Sequence, residues 1–406
     1  MRNALIILAS LIAGLLLGIL IAGNAPWLIE TASVIGTMWL NALRMTIIPL
    51  VVSILIVGVV QAAAMARAGQ MTTRAIITML IILWSSAAMA AIVTPALLSI
   101  FPLPAEAASA LRGALLTAQP PGEVPPFSEF LRAIIPTNPV AAAAQDAILP
   151  LIIFTLAFGF AATRLPEAKR TTIADFFAAI SDTMLILINW ILALAPAGVF
   201  ALALVVGAKA GAEAFGALVH YVLIVSSVGA VVWTASFVLA AIGGRMKPFA
   251  FFRASMPAQA VAISTQSSLA SLPAMVNGVK SMGVGERSAD VVLPIAVALF
   301  RATGPCMNLA VAIYVAHLMG ISLSPTALAI GVAAAAITTM GAVSLPGSVS
   351  FITSCAPICI AMGIPIEPLA LLLAIETFPD IMRTLGNVTM DMAVTSTVAR
   401  FENDVA

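Results

Sequence analysis

Six residues near the C-terminal end carry the densest chemistry in the chain: Glu376, Asp380, Arg383, Thr384, Asn387 and Asp391, all inside 376-ETFPDIMRTLGNVTMD-391. At roughly 100° per residue they fall within an arc of about 100°, so one helical face presents three carboxylates, a guanidinium, a hydroxyl and a carboxamide. A planar guanidinium offers a carboxylate two parallel hydrogen bonds, which suits Arg383 to an acidic ligand. Asp380 can receive an ammonium, and Asn387 with Asp391 supplies oxygens fit for Na+ or a proton. An internal pair between Asp380 and Arg383, three residues apart, would use two of the charges and leave Glu376 and Asp391 idle. A ligand of both charge signs, bound together with a cation, would use the whole set.

These charges sit in a very apolar chain. Of 406 residues, 62% are hydrophobic and 9% charged, and the mean hydropathy is +1.14. Soluble globular chains carry about 25% charged residues, so this composition requires lipid as the main solvent and marks a multi-pass membrane protein. Eighteen Lys and Arg against 17 Asp and Glu give a net charge of +1 and no general field for nucleic acid. Cys306, Cys355 and Cys359 stand in apolar surroundings without metal-ligand spacing and read as buried thiols. There is no G-x-S-x-G and no H-E-x-x-H, and the two histidines, His220 and His317, fall near opposite ends of their spans. Nothing here makes an enzyme, and no cofactor is implied beyond Na+ or H+ as a coupling ion.

A membrane-crossing helix needs about 20 mostly apolar residues. Such runs lie near 4–22, 32–62, 74–101, 138–163, 173–206 and 215–243. Lys and Arg cluster after every even span: Arg67 and Arg74, then Arg164, Lys169 and Arg170, then Arg245, Lys247 and Arg253. By the positive-inside rule those loops and both termini are cytoplasmic, in a cell (inner) membrane. The Pro-rich stretch 102–128, with only Arg112, faces the other side. Arg44 reads as an interfacial anchor or a scaffold contact.

After residue 254 polar breaks interrupt the apolar runs, which lipid-facing backbone does not tolerate. Two of them are alike: Ala270-Ser271-Leu272-Pro273 within 264-STQSSLASLP-273, and Val343-Ser344-Leu345-Pro346 within 338-TTMGAVSLPGS-348. Each is followed by a span with an in-membrane arginine, Arg301 and then Arg383. Matching broken segments point to a transporter site built from inverted repeats.

On these residues the chain resembles the dicarboxylate/amino-acid:cation symporters, the family of the glutamate transporters and their archaeal aspartate-transporting homologues. The likeness runs in order through 44-RMTIIPLVVSILIVGVV-60, 138-NPVAAAAQDAILPLIIFTLAFGFA-161, 195-APAGVFAL-202, 264-STQSSLASLP-273 and 380-DIMRTLGNVTMD-391. It implies an all-α membrane protein of eight transmembrane helices and two re-entrant helical hairpins, forming a homotrimer that works as an elevator. Helices 1 to 3 with the extracellular loop (1–137) would belong to the scaffold. Helices 4 to 6 (138–254) would be shared, and 255–406 would be the transport core. The resemblance makes Asp380 the contact to a substrate ammonium and Arg383 the contact to its side-chain carboxylate. Thr384 and Asn387 would be further polar contacts, and Ser267 and Ser268 would hold the main carboxylate. Gly341, Ser344, Pro346 and Gly347 would form the extracellular gate, and main-chain oxygens near Asn387 with Asp391 a cation site. Asp380 favours an amino acid such as aspartate or glutamate over a plain dicarboxylate.

The family's Asn-Met-Asp-Gly-Thr motif, a source of sodium ligands, is Phe300-Arg301-Ala302-Thr303-Gly304 here. Two ligand positions are lost. In the third span Ser85 and Ser86 are present, but Ile82 stands where tyrosine is expected. Arg301 has three readings: a surrogate for the lost cation, a second guanidinium for substrate, or a side chain that snorkels to an aqueous crevice. Glu376, a carboxylate in low dielectric, suits proton coupling, or else sits solvated at the helix mouth. The expectation is a symporter of acidic amino acids or related dicarboxylates, driven by protons or by fewer sodium ions than usual. A cation-independent exchanger is the main alternative and an anion channel the weaker one.

Overall fold

The computed structural model describes residues 2–22, 24–66, 69–104, 106, 108, 111–112, 135–145, 147–211, 213–341 and 347–404. Among them the regular structure is helical. The first half contains α1 (Arg2–Ile21), α2 (Pro26–Ala66), α3 (Gln70–Ile100), α4 (Pro139–Ala144), α5 (Ile148–Ala162), α6 (Glu167–Ala193), α7 (Ala195–Ala210) and α8 (Glu213–Ile242). The apolar run 173–206, read as one span, is two helices. Pro196, at the start of α7, has no N–H to continue the α6 ladder, and the Leu194 carbonyl instead accepts from Ala197 and Gly198.

Five helical stretches among the described residues are long and apolar enough to cross a bilayer: Pro26–Met65, Gln70–Ile100, Glu167–Ala193, Ala214–Ile242 and Glu286–Met319. Their outward faces carry exposed Ile92, Trp190 and Ile242, the arrangement lipid requires. α1 lies against α7 at very short range. A Cβ on Gly18 would come within 2.2 Å of the Leu204 carbonyl oxygen, and one on Gly207 within 2.3 Å of the Leu15 carbonyl oxygen. Gly14 and Gly18 form a G-x-x-x-G stripe that lets the two backbones meet, the usual way apolar helices associate where lipid gives no hydrophobic drive. α2 packs on α5, α6 and α7, with the Trp39 indole donating to the Ile191 carbonyl at 3.0 Å. α3 packs mainly on later helices, described next.

The second half repeats one plan twice. A hairpin of α9 (Pro248–Thr265) and α10 (Ser268–Ser281) is followed by α11 (Glu286–Leu299), a break at 300–302 and α12 (Thr303–Met319). A second hairpin of α13 (Pro325–Gly341) and α14 (Gly347–Ala361) is followed by α15 (Glu367–Leu372), a 3-10 turn Leu373–Ile375 and α16 (Thr377–Phe401). α3 packs against α12 and α13, while α16 packs against α8, α9, α10, α11 and α12. The first hairpin turns on Gln266, in the left-handed region at φ 52°, and on Ser267, whose hydroxyl accepts from the Ala270 N–H at 3.2 Å and caps α10. The Val343–Pro346 match and the gate residues Ser344 and Pro346 lie in 342–346, outside the described residues. Gly341 and Gly347 end and begin the two arms of the second hairpin.

Candidate functional site

The polar face of α16 is enclosed. Glu376, Asp380, Arg383, Thr384 and Asn387 are each buried, and Asp391 is wholly buried. Glu376 therefore does not sit solvated at the helix mouth. It is the residue before α16, where the 3-10 turn runs into the helix, and its two oxygens are reached by Tyr221 of α8 and Arg383 of α16.

Arg383 is the hub. Its Nη2 lies 2.6 Å from Glu376 Oε1, its Nη1 2.5 Å from Asn308 Oδ1 on α12, and its Nε 3.4 Å from Asp380 Oδ1. The pairing of Asp380 with Arg383 weighed above is thus present, as the longest of these contacts. The other Glu376 oxygen accepts from the Tyr221 hydroxyl of α8 at 2.9 Å. Tyr221 stacks edge-on against Tyr314, whose hydroxyl donates to the Ala217 carbonyl at 2.8 Å. The Cys355 thiol of α14 approaches Asn308 Oδ1 at 3.7 Å. Three elements besides α16 thus converge on one guanidinium or its partners, α8, α12 and α14, with Glu376 reaching in from the junction just ahead of α16.

A second knot lies one turn further on. The Thr303 N–H donates to Asn387 Oδ1 at 2.9 Å, and the Thr303 hydroxyl is 2.8 Å from the same oxygen and 2.9 Å from the Arg383 carbonyl. A hydroxyl has one proton, so it serves one of the two at a time. This fastens the start of α12 to the middle of α16. Asp391, four residues beyond Asn387, has neither carboxylate oxygen hydrogen-bonded among the described residues. Arg301, partly buried in the 300–302 break, is close enough to act electrostatically on Asp391, Asp380 and Arg383.

The first hairpin tip meets the same region. Gln266 Nε2 donates to the Thr377 carbonyl at 3.1 Å, and Ser267 and Ser268 are partly buried beside it. Ser86 is buried and bonds within its own helix to the Leu83 carbonyl at 3.0 Å, while Ser85 is exposed. Arg44 pairs with Glu367 at 2.9 Å, a contact between α2 and α15. His220 bridges the Tyr314 hydroxyl at 3.1 Å and the Phe101 carbonyl at 2.8 Å, more than a solvated imidazole would do. All three cysteines are free and buried.

Sequence reasoning missed Tyr221, Asn308 and Cys355, and treated Thr303 only as part of a departure. A signal existed: Asn308 is the one carboxamide in 304-GPCMNLAVAIYVA-316, and Tyr221 and Tyr314 are the two tyrosines of the chain.

The model of the sodium:dicarboxylate symporter family matches residues 5–401. The chain belongs to that family. Among its relatives, the proton/glutamate-aspartate symporter of Escherichia coli (strain K12) is 27% identical, over 98% of this chain and 92% of its own length. A C4-dicarboxylate transport protein 1 of Pseudomonas paraeruginosa is 27% identical over 98% and 90%. A proton/sodium-glutamate symport protein of Bacillus caldotenax is 28% identical over 94% and 90%. This sodium:dicarboxylate symporter family member is accordingly a transporter, embedded in a membrane through many helices.

Proposed function

We propose that the protein is a secondary active symporter for acidic amino acids, aspartate or glutamate, or closely related dicarboxylates, coupled to protons or to few sodium ions. The observation that carries this reading is the buried set Asp380, Arg383, Thr384 and Asn387, gathered beside the first hairpin tip. The names of the relatives cover both substrate classes and both coupling ions. In this reading Arg383 holds the side-chain carboxylate of the substrate, Asp380 its ammonium, and Ser267 and Ser268 its main carboxylate. Thr384 and Asn387 add polar contacts, and Gly341, Ser344, Pro346 and Gly347 form the gate. Asp391 would be the carboxylate of the cation position, its charge met by an ion or by the chain.

The geometry around Arg383 makes Glu376 the proton carrier. A carboxylate can be gripped in two parallel bonds on either of two guanidinium edges, Nη1 with Nη2 or Nε with Nη2. The two edges share Nη2 but draw on different N–H groups of it; Glu376 lies 2.6 Å from Nη2, Asn308 2.5 Å from Nη1 and Asp380 3.4 Å from Nε, so neither edge is open. A substrate that takes the edge held by Glu376 displaces it, and a buried carboxylate stripped of its guanidinium is costly unless it takes a proton. In that binding mode the substrate carboxylate brings one proton with it.

We further infer a homotrimeric elevator with cytoplasmic termini. Packing supports a scaffold around α1, α2, α6 and α7 and a moving part around α8 to α16. Position in the chain would keep α3 with the scaffold at 1–137, whereas its contacts with α12 and α13 favour grouping it with the moving part.

The deciding experiment is uptake of labelled L-aspartate, L-glutamate and succinate into proteoliposomes under an inward proton gradient, an inward sodium gradient, or neither. Proton-driven accumulation of an acidic substrate is expected. Uptake only in exchange for internal substrate would replace the symporter by an exchanger, and no acidic uptake at all would overturn the substrate class.

A further inference from the structure

We propose that Arg301 is a tethered counter-charge for Asp391, a cation belonging to the chain itself that takes the place of one mobile ion in the loaded site. The inference rests on the transport reading above and deepens it by assigning a residue to the coupling number.

Asp391 poses the problem. It is wholly buried, and neither of its oxygens meets a hydrogen-bond donor among the described residues. A carboxylate in that position needs a bound ion, a fixed positive charge or a proton of its own, and a proton would give affinity no dependence on sodium. The shell for a bound ion is thin. A hard cation wants several oxygens at once, but Asn387 Oδ1, one helical turn away, already accepts the Thr303 N–H at 2.9 Å and lies 2.8 Å from the Thr303 hydroxyl. That hydroxyl serves either this oxygen or the Arg383 carbonyl at 2.9 Å, one at a time, while the Thr303 N–H stays on Asn387. Among the described residues no three His, Cys, Asp or Glu side chains come together as a metal group.

A fixed charge is at hand. Arg301 occupies the irregular backbone between α11 and α12 and acts electrostatically on Asp391. The break is held at its far side, because Thr303 is fastened to Asn387 and the Arg301 carbonyl accepts the Gly304 N–H at 2.9 Å. It is also packed against the second hairpin, since a Cβ on Gly304 would meet the Thr339 side chain at 2.7 Å and the Arg301 Cβ at 3.5 Å. Arg301 therefore moves with Asp391 as one body. The other guanidinium, Arg383, is committed to Glu376, Asn308 and Asp380. Unlike a sodium ion, Arg301 cannot leave when substrate is released, so the charge it supplies does no coupling work.

The test is equilibrium binding of labelled L-aspartate, L-glutamate or succinate to the purified full-length protein, measured against sodium concentration at constant ionic strength with choline. The logarithmic slope of affinity against sodium counts the ions bound with substrate. Arg301→Met is expected to steepen that slope by about one, with affinity in choline falling at least tenfold and returning as sodium is added. Adding Asp391→Asn to Arg301→Met should bring the slope back to that of the unsubstituted protein, because the charge needing compensation is then gone. Arg301→Lys, which keeps the charge and is the safest variant to fold, should leave the slope unchanged. An unchanged slope in Arg301→Met, a lost affinity that neither sodium nor Asp391→Asn restores, or a steepened slope in Arg301→Lys would each overturn the proposal. Failure of the unsubstituted protein to bind any of the three acids would remove the substrate reading instead, and the inference with it.

Discussion

Replacing Glu376 by glutamine tests the site at its most constrained atom. The side chain keeps its length and one carbonyl oxygen, so Arg383 Nη2 retains an acceptor near the present 2.6 Å contact and Tyr221 retains its neighbour. What changes is charge. The guanidinium stays ionised, so the glutamine keeps a hydrogen bond to a charged group, worth about 1.5–3 kcal/mol, and what is lost is the attraction between two opposite charges. Glutamine therefore competes with substrate for Nη2 less strongly, by the low end of a close charge pair's coupling, about 1–2 kcal/mol. At alkaline pH, where the carboxylate must otherwise be protonated before it yields, substrate affinity should rise about 5- to 30-fold. The same change removes the group that takes the proton, so affinity should lose its dependence on pH and an inward proton gradient should no longer drive accumulation. Counterflow of labelled against unlabelled substrate, which needs no net proton movement, should survive. Isothermal titration of the purified variant across pH, paired with counterflow and gradient-driven uptake in proteoliposomes, reads all three. A fall in affinity, or accumulation still driven by protons, would refute the displacement argument.

Arg383→Ala removes the guanidinium on which Glu376, Asn308 and Asp380 converge; uptake of acidic substrates should fall by at least a hundredfold, with neutral amino acids tested in the same assay for new uptake. Thr303→Val deletes a hydroxyl that lies within reach of both Asn387 and the Arg383 carbonyl; a loss of about 1–3 kcal/mol is expected, read as a lower melting temperature in detergent. Ser267→Ala removes the cap of α10 at about 1 kcal/mol, and should weaken substrate binding more than it lowers the melting temperature if the tip holds the main carboxylate. Gly18→Leu should separate α1 from α7 and destabilise the scaffold side while leaving the Kd of the surviving folded protein within about twofold.

How much of this was legible in the sequence depends on whether the signal was local. The face of α16 was plain, because six polar side chains at helical spacing stand out in lipid-soluble surroundings. The hairpins were legible for the same reason: a polar break in an apolar run must lie inside protein. The α6–α7 break was harder to see, since Leu194-Ala195-Pro196 is as apolar as the helices it separates and only the missing N–H of Pro196 marks it. The G-x-x-x-G stripe of α1 went unread, because a glycine in a membrane helix shows its purpose only when the opposing backbone, here α7, is known.

The partners of the site residues were the least legible, for a physical reason that also bears on mechanism. Tyr221 reaches Glu376 across 155 residues, and Asn308 and Thr303 reach α16 across 75 and 84. Each is a single polar group in an apolar helix, and nothing in its neighbours says which way it faces. Yet these three decide what the charged face can do. With Asn308 and Glu376 each on one Nη atom and Asp380 beside Nε, Arg383 is not an open receptor for any anion: an incoming carboxylate competes with acceptors already there. With Thr303 occupying Asn387, the cation side of the site is already partly filled by the chain. A face that reads in isolation as three carboxylates awaiting ions is, once its partners are in place, a nearly satisfied network. What enters it must exchange with something already there, and that exchange is where a proton is joined to a substrate.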